Sequence, residues 1–239
     1  MWLFRQYHSL DGCGLCRGLT DWHSHLLPGV DDGVQTLDEA LEILACYERL
    51  GVTAVWLTPH IMEDIPNTLE KLRERMIVLQ QAYHGPVVLR LAAEHMLDRL
   101  FEERLEVGEV LPIGRAQDML LVETSYFNPP VGMDNLLKQV LAKGYYPLLA
   151  HPERYLYMNR TGYLRLKRQG IRFQLNLFSL LGAYGKEAQA KAVFLLEKGC
   201  YEVMGTDTHS LQALSHWVEK QALSSKLLSR LEGLATSDG

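Results

Sequence analysis

The feature that most constrains this chain is a repeated alternation of short apolar, strand-like runs with stretches of helical periodicity. The runs are LTDWH (19–23), TAVWLTP (53–59), VVLRLAAE (87–94), MLLVETS (119–125), PLLA (147–150), RFQLN (172–176) and YEVMGTD (201–207). Between them, TLDEALEILACYERLG opens on a capping box, Thr36 with Glu39, and closes at Gly51. NTLEKLRERMIVLQQAYHG is expected to be a helix from Asn67 to Gly85, and MDNLLKQVLAKG one that ends at Gly144. GKEAQAKAVFLLEKG is another, and SLQALSHWVEKQALSSKLLSRL is expected to end the chain as a helix. Because no Pro/Gly/Ser-rich linker interrupts residues 19–233, the pattern predicts one α/β domain around a parallel sheet. Seven or eight such units close into a barrel, with an open doubly wound sheet as the alternative.

Composition narrows the class. With 47% apolar and 22% charged residues, the chain can bury a substantial core. No apolar run approaches the roughly 18 to 20 residues that span a bilayer, so no membrane insertion is expected. The N-terminus lacks a signal-peptide layout, and a cytoplasmic protein is expected. A net charge of −5 argues against general nucleic-acid binding. Cys13 and Cys16 form a lone C-x-x-C, half of a structural zinc site, and with Cys46 and Cys200 are expected to be free thiols. No cysteine opens a C-x5-R phosphate loop, and no G-x-x-x-x-G-K-[ST] loop is present.

The chemistry-bearing residues fall at one end of the runs. His23 and His25 end the first, and His60 follows the second in TPH. Glu94 ends the third in AAE, and Glu123 ends the core of the fourth in VE. His151 follows the fifth in AHPER, and Asp207 and His209 end the seventh in GTDTH. Only RFQLN delivers no metal-capable side chain. In a parallel barrel all these ends open onto one face, where the βα loops build active sites. A lone His at such a place is ordinarily a solvated or hydrogen-bonded group, the reading given to His8, His84, His95 and His216. Several carboxylates crowded without a counter-charge would repel one another, and a bound cation relieves that.

Four ligands satisfy one zinc-like ion. This face offers eight candidates besides Asp31 and Asp32, which follow the Pro28–Gly29 bend. More than one ion follows, with Glu94 able to bridge two. Mixed imidazole and carboxylate donors suit Mn2+, Fe or Zn2+. Closely spaced divalent ions generate a hydroxide near neutral pH and clamp the oxygens of an in-line displacement, which is phosphoester hydrolysis chemistry. Arg154, three residues after His151, is placed to hold phosphate oxygens through its planar fork.

Taken in order, DWHSHLLPGVDDG, TPH, AAE, VE, AHPER and GTDTH resemble the motifs of the PHP superfamily (polymerase and histidinol phosphatase). The variant resembles the bacterial capsule-type, manganese-dependent protein-tyrosine phosphatases of the CpsB/YwqE group, over about residues 19 to 210. The resemblance implies a distorted (β/α)7 barrel, TIM-barrel-like, holding up to three ions, Mn2+ first, at the C-terminal ends of its strands. Residues 1–18 would be an N-terminal extension and 19–239 the single phosphatase domain. His23, His25, Glu94 and Asp207 would hold the first ion, and Glu94, Glu123 and His151 the second. Asp32, His60 and His209 would hold the third, with Asp31 as the alternative neighbour. Arg154, His209 and Asp207 are the expected catalytic residues, acting with a metal-activated hydroxide on phosphotyrosine. The leaving phenolate, with a pKa of about 10, needs less protonation than an alkoxide.

The implied partner is the phosphotyrosine tail of a bacterial tyrosine kinase that regulates capsular or exopolysaccharide synthesis. Two departures stand out: residues 1–18 have no counterpart, and SLQALSHW lacks the basic residues often found there. The main alternative keeps the scaffold and changes the substrate to a small phosphomonoester, histidinol phosphate or a nucleotide. An exonuclease-like module and a binding protein that sequesters a kinase tail without turnover are the other competitors.

Overall fold

The apolar runs pair in parallel with their neighbours in the computed structural model, which describes residues 7–235. Short β1 (Tyr7–His8) and α1 (Leu10–Cys13) lead into β2 (Thr20–Ser24). Helix α2 (Leu37–Leu50) starts where expected, with Thr36 Oγ1 accepting from Glu39 N, and stops at left-handed Gly51. The Glu39 carboxylate accepts from Leu211 N instead of reaching back to Thr36, so only half of the capping box forms.

The second run splits into β3 (Ala54–Leu57) and β4 (His60–Ile61) at Thr58–Pro59, where proline offers no N–H to the ladder. Helix α3 (Leu69–Ala82) is capped by Thr68. Asn67 is buried instead, its amide donating to Val30 O and His60 O, and so holds the loop that carries Asp31 and Asp32 against His60. The third run splits likewise into β5 (Val88–Leu91) and β6 (Glu94–Met96). Bonds from Ala92 N to Leu57 O and from Glu94 N to Pro59 O carry the pairing through both breaks.

Helix α4 (Arg99–Val107), unassigned from sequence, precedes β7 (Met119–Glu123), and α5 (Met133–Ala142) precedes β8 (Tyr146–Leu149). Next come α6 (Arg160–Arg168), also unassigned, β9 (Arg172–Asn176), α7 (Leu177–Leu181), α8 (Gly185–Glu197) and β10 (Val203–Gly205). The final expected helix is two, α9 (Leu211–Glu219) and α10 (Ser225–Ala235), separated by β11 (Leu223–Ser224). Pairing of β11 with β1 overrides helical periodicity there, and Ser224 Oγ accepts from Leu227 N as a new cap.

Six strands run in the order β10-β9-β8-β7-β6-β4 and three in the order β2-β3-β5. Counting each split run once gives seven rows, as expected. The seam between β10 and β2 closes through a parallel bridge of Ser24 with Thr208 and through Asp207 N donating to His23 O at 2.8 Å. Beneath it Asp21, buried, accepts from Tyr47 Oη (2.5 Å), Thr206 Oγ1 (2.7 Å), Thr206 N (2.9 Å) and His23 N (3.2 Å). One carboxylate thus ties β2, α2 and the segment after β10 together.

Side-chain alternation sorts two apolar cores. Trp22, Trp56, Leu121, Leu148 and Val203 belong to a small cluster inside the barrel, and Val55, Leu57, Val122, Leu149 and Met204 to the large one under the helices. Leu10, Leu15 and Cys16 lie in the large core too, so residues preceding the seven-run repeat pack against it. Burial pushes the Cys16 thiol up to about 12, which keeps it protonated and unsuited to metal at neutral pH.

Gly205 sits at the seam, where an added Cβ would lie 2.6 Å from both His23 N and His23 Cβ. Gly205→Ala should therefore push β10 from β2 and lower the unfolding free energy by about 1–3 kcal/mol. Denaturant titration of the chelator-treated protein measures this, and an unchanged midpoint would show that the seam is not packed so tightly.

Candidate metal centre

The site begins with an irregularity in β2. Asp21 pairs with Val55 and Ser24 with Leu57, so three steps on β2 oppose two on β3. This bulge lets Trp22 enter the inner apolar cluster while His23 and His25 both reach the face at the strand ends. The loops after β8 and β10 re-aim His151 and Asp207 by another device: both take positive φ, 32° and 53°, uncommon for residues with a Cβ.

Three overlapping groups of ligand atoms result, each within a 4.8 Å span: His23, His25, Glu94 and Asp207; His60, Glu94 and Glu123; and His25, Asp32, His60 and His209. The first matches the expected set. The second contains His60, whose Nδ1 lies 3.0 Å from Glu123 Oε1 and 3.2 Å from Glu94 Oε2. His151 stands beside that group, its Nε2 3.0 Å from Glu94 Oε1 and 4.0 Å from Glu123 Oε2. In the third, His25 joins the expected Asp32, His60 and His209. Asp32 Oδ1 lies 3.5 Å from His60 Nε2 and 3.6 Å from His209 Nε2. Asp31 turns the other way, accepting from His60 N and Gly33 N and contacting His25 Nδ1 at 2.9 Å.

Hydrogen bonds behind the imidazoles fix which nitrogen faces the cluster. His151 N donates to Gln174 Oε1, which identifies that atom as the oxygen. His23 Nδ1, 3.1 Å from the same oxygen, must carry its proton, leaving Nε2 bare in the neutral ring. Asp31 imposes the same tautomer on His25, and the backbone O of Asp207 does so on His209. His23 Nε2 and His25 Nε2 then face each other at 3.1 Å, and both face Glu94 Oε2, at 3.1 and 3.3 Å. Both Glu94 oxygens and His60 Nδ1 are buried without a well-aligned hydrogen-bond partner. Acceptor pointed at acceptor in a buried pocket is unfavourable unless a cation or protons lie between. Hard carboxylate oxygens mixed with imidazoles fit a divalent transition metal.

Electrostatics agree. Burial opposes protonation of His23, but Glu94 and Asp207 outweigh it and raise its pKa to about 9. Burial opposes ionisation of Glu94 in turn, and the surrounding histidines hold it well below the usual carboxylate range. A cation competes for the place of those protons. Asp207 Oδ2 is already bound by Arg154 Nη1 (2.6 Å) and Asn176 Nδ2 (3.1 Å), which leaves Oδ1 toward His23 and His25.

RFQLN, read as contributing nothing, supplies Gln174 and Asn176. Their signal is two amides at alternate positions, Gln174 and Asn176, interleaved with apolar Phe173 and Leu175, so that both amides share one face of the strand. His95 is fully buried, not solvated: its Nε2 accepts from Leu111 N at 3.4 Å, and burial lowers its pKa to about 4. His8 Nε2 pairs with Ser225 Oγ, His216 lies on α9 against Trp217, and His84 follows the end of α3, all away from the cluster.

Comparison with known proteins gives the same picture. A family described as capsular polysaccharide synthesis, CpsB/CapC, matches residues 19–222. The tyrosine-protein phosphatase CpsB of Streptococcus pneumoniae is 27% identical over 218 residues, covering 84% of this chain and 87% of that protein. The putative tyrosine-protein phosphatase CapC of Staphylococcus aureus is 26% identical over 203 residues, covering 81% and 78%. Among solved structures, one from a study of YwqE from Bacillus subtilis and CpsB from Streptococcus pneumoniae, described as metal-dependent tyrosine phosphatases, superposes with a TM-score of 0.80. It covers 91% of each chain at 24% identity, and so supports the barrel fold.

Gln174→Leu removes the acceptor that sets the His23 tautomer while keeping the side chain's bulk. It should weaken Mn2+ affinity about 10- to 100-fold, the usual effect of losing such a partner. Competition against a chromophoric chelator reads this directly, and undiminished affinity would show that Gln174 does not orient the ligand.

Proposed function

The chain belongs to the CpsB/CapC family of capsular polysaccharide synthesis proteins, and on that premise we propose that it is a metal-dependent protein-tyrosine phosphatase. The observation that carries this reading is the buried carboxylate of Glu94, shared by two groups of ligand atoms, with the Arg154 guanidinium fixed beside them on Asp207. His23, His25, Asp32, His60, Glu94, Glu123, His151, Asp207 and His209 hold up to three divalent ions in this reading. Mn2+ is the preferred occupant, and Fe or Zn2+ suits the same donors. When bound, such ions supply Lewis acidity toward a phosphoryl oxygen and activate the water nucleophile.

The chain's own residues do the rest. Arg154 takes up charge on the phosphoryl oxygens that develops in the transition state, through planar N–H donors already oriented by Asp207. His209, one-third exposed at the rim, turns Nε2 toward Asp32 and keeps its Nδ1 proton on the backbone O of Asp207, so it serves the reaction as a ligand. The phenolate, with a pKa of about 10, departs with little need of protonation. Asp207 carries both duties, one oxygen toward the ligand cluster and the other on Arg154, so phosphate grip and metal geometry share one side chain.

The substrate is a phosphotyrosine protein, the tail of a bacterial tyrosine kinase that regulates capsule or exopolysaccharide synthesis, acted on in the cytoplasm. Among the described residues no helix is long and apolar enough to cross a membrane.

A phosphotyrosine peptide should be hydrolysed in the presence of Mn2+, and metal removal should lower the rate at least about 100-fold, reflecting several kcal/mol of charge stabilisation. Phosphate release measured with and without chelator tests this. Turnover unchanged after stripping would overturn the mechanism, and a clear preference for histidinol phosphate or a nucleotide in the same assay would overturn the substrate.

A further inference from the structure

Among the described residues Arg154 is the guanidinium bound to Asp207 in the proposed phosphate site, and the aromatic rings around it go unused in the reading above. Its guanidinium carbon lies 4.4 Å from the ring centroid of Tyr126 and 4.0 Å from that of Tyr184. Both distances are those of cation–π contacts, so two aromatic rings pack against this one guanidinium. Tyr126 follows β7 and Tyr184 precedes α8, so the two rings come from opposite sides of the fifth strand–helix unit.

The arrangement is closed into a circuit. Tyr184 Oη accepts from Asn176 Nδ2 at 3.2 Å, and the same Asn176 amide nitrogen donates to Asp207 Oδ2 at 3.1 Å. Asp207 Oδ2 accepts from Arg154 Nη1 at 2.6 Å, and Arg154 returns to the Tyr184 ring. The five N–H donors of a guanidinium all lie in its plane. With two rings packed against it and Nη1 held on Asp207, the guanidinium has few orientations left, and its remaining in-plane edge is where a phosphate finds parallel donors. A free arginine side chain loses rotamer freedom when it binds an anion, and these contacts remove much of that freedom before the substrate arrives.

We propose that Tyr126 and Tyr184 are positioning residues that clamp Arg154 with their rings and preset it as an in-plane phosphate fork. The segment after His209, SLQALSHW, contains no Lys or Arg, so the orientation of Arg154 matters all the more. The inference rests on the phosphatase reading for its substrate, but the anion it describes is inorganic phosphate as much as a phosphate ester.

Tyr126→Leu and Tyr184→Leu should each raise KM for a phosphotyrosine peptide, and the inhibition constant of inorganic phosphate, about 5- to 30-fold, the range of a desolvated cation–π contact. The turnover number should fall less, by about threefold at most, because most of the lost hold is on the phosphate already bound in the ground state and only the additional transition-state charge appears in kcat. Bound metal per chain should equal that of the unaltered protein. Tyr126→Phe keeps the ring and should restore both constants. Tyr184→Phe keeps the ring but loses the Asn176 contact, and should fall between.

Leucine variants with unchanged KM and phosphate inhibition would overturn the clamp. So would loss of metal from them, because the rings would then be supporting ligands rather than Arg154. If the unaltered chain hydrolyses no phosphotyrosine peptide, the phosphatase reading fails separately, and calorimetric titration of the metal-loaded protein with inorganic phosphate decides the clamp. Weaker phosphate binding in the leucine variants supports it, and equal binding refutes it.

Discussion

A buried set of lone pairs that face one another governs the rest of this structure. His23 Nε2, His25 Nε2 and the Glu94 carboxylate meet within 3.3 Å with their other hydrogen-bonding capacity already committed or absent. In a pocket closed to water such an arrangement costs several kcal/mol unless positive charge sits within it. The surrounding shell is built to keep it so. Gln174 and Asp31 occupy the rear nitrogens of the two histidines, and Arg154 with Asn176 occupies the rear oxygen of Asp207. Each partner is neutral or opposite in charge to the group it holds, and each leaves a lone pair aimed inward.

The barrel serves this cluster by closing beneath it. The seam between β2 and β10 passes directly under His23 and Asp207, where the two strands come close enough that only glycine fits at position 205. Asp21 stands at the same seam, and its burial raises its pKa even against four hydrogen bonds, so it is an internal tie rather than a titrating surface group. The bulge at Trp22–His23 and the positive φ values of His151 and Asp207 add local departures from regular geometry. Such departures persist where the surrounding packing over-determines them, and here they coincide with side chains of the proposed metal centre.

Much of this was legible in the sequence because the barrel repeats one rule. Apolar runs separated by helical periodicity imply parallel pairing, and parallel pairing places every strand end on one face. His23, Glu94 and His151, far apart in the chain, could therefore be put together before any contact was known. The choice of Asp32 over Asp31 rested on motif order, and the geometry sets Asp32 against His60 and His209 while Asp31 backs His25. What the sequence hid was contextual. Asn67 has the look of a helix cap, yet tertiary hydrogen bonds to Val30 and His60 claim it. The last helix breaks because β11 finds a partner in β1, more than 200 residues away. Gln174 and Asn176 carry no metal-ligand signature, and Tyr126 and Tyr184 acquire their meaning only from the arginine they pack against.

The central claim is that Glu94 is shared between ion sites rather than belonging to one. Counting bound Mn2+ per chain after equilibrium dialysis, by elemental analysis of Glu94→Gln and Asp32→Asn beside the unaltered protein, tests it most directly. The account predicts that Asp32→Asn lowers the count by one ion and Glu94→Gln by two. A Glu94→Gln protein that keeps its full complement, or loses no more than Asp32→Asn, would contradict it.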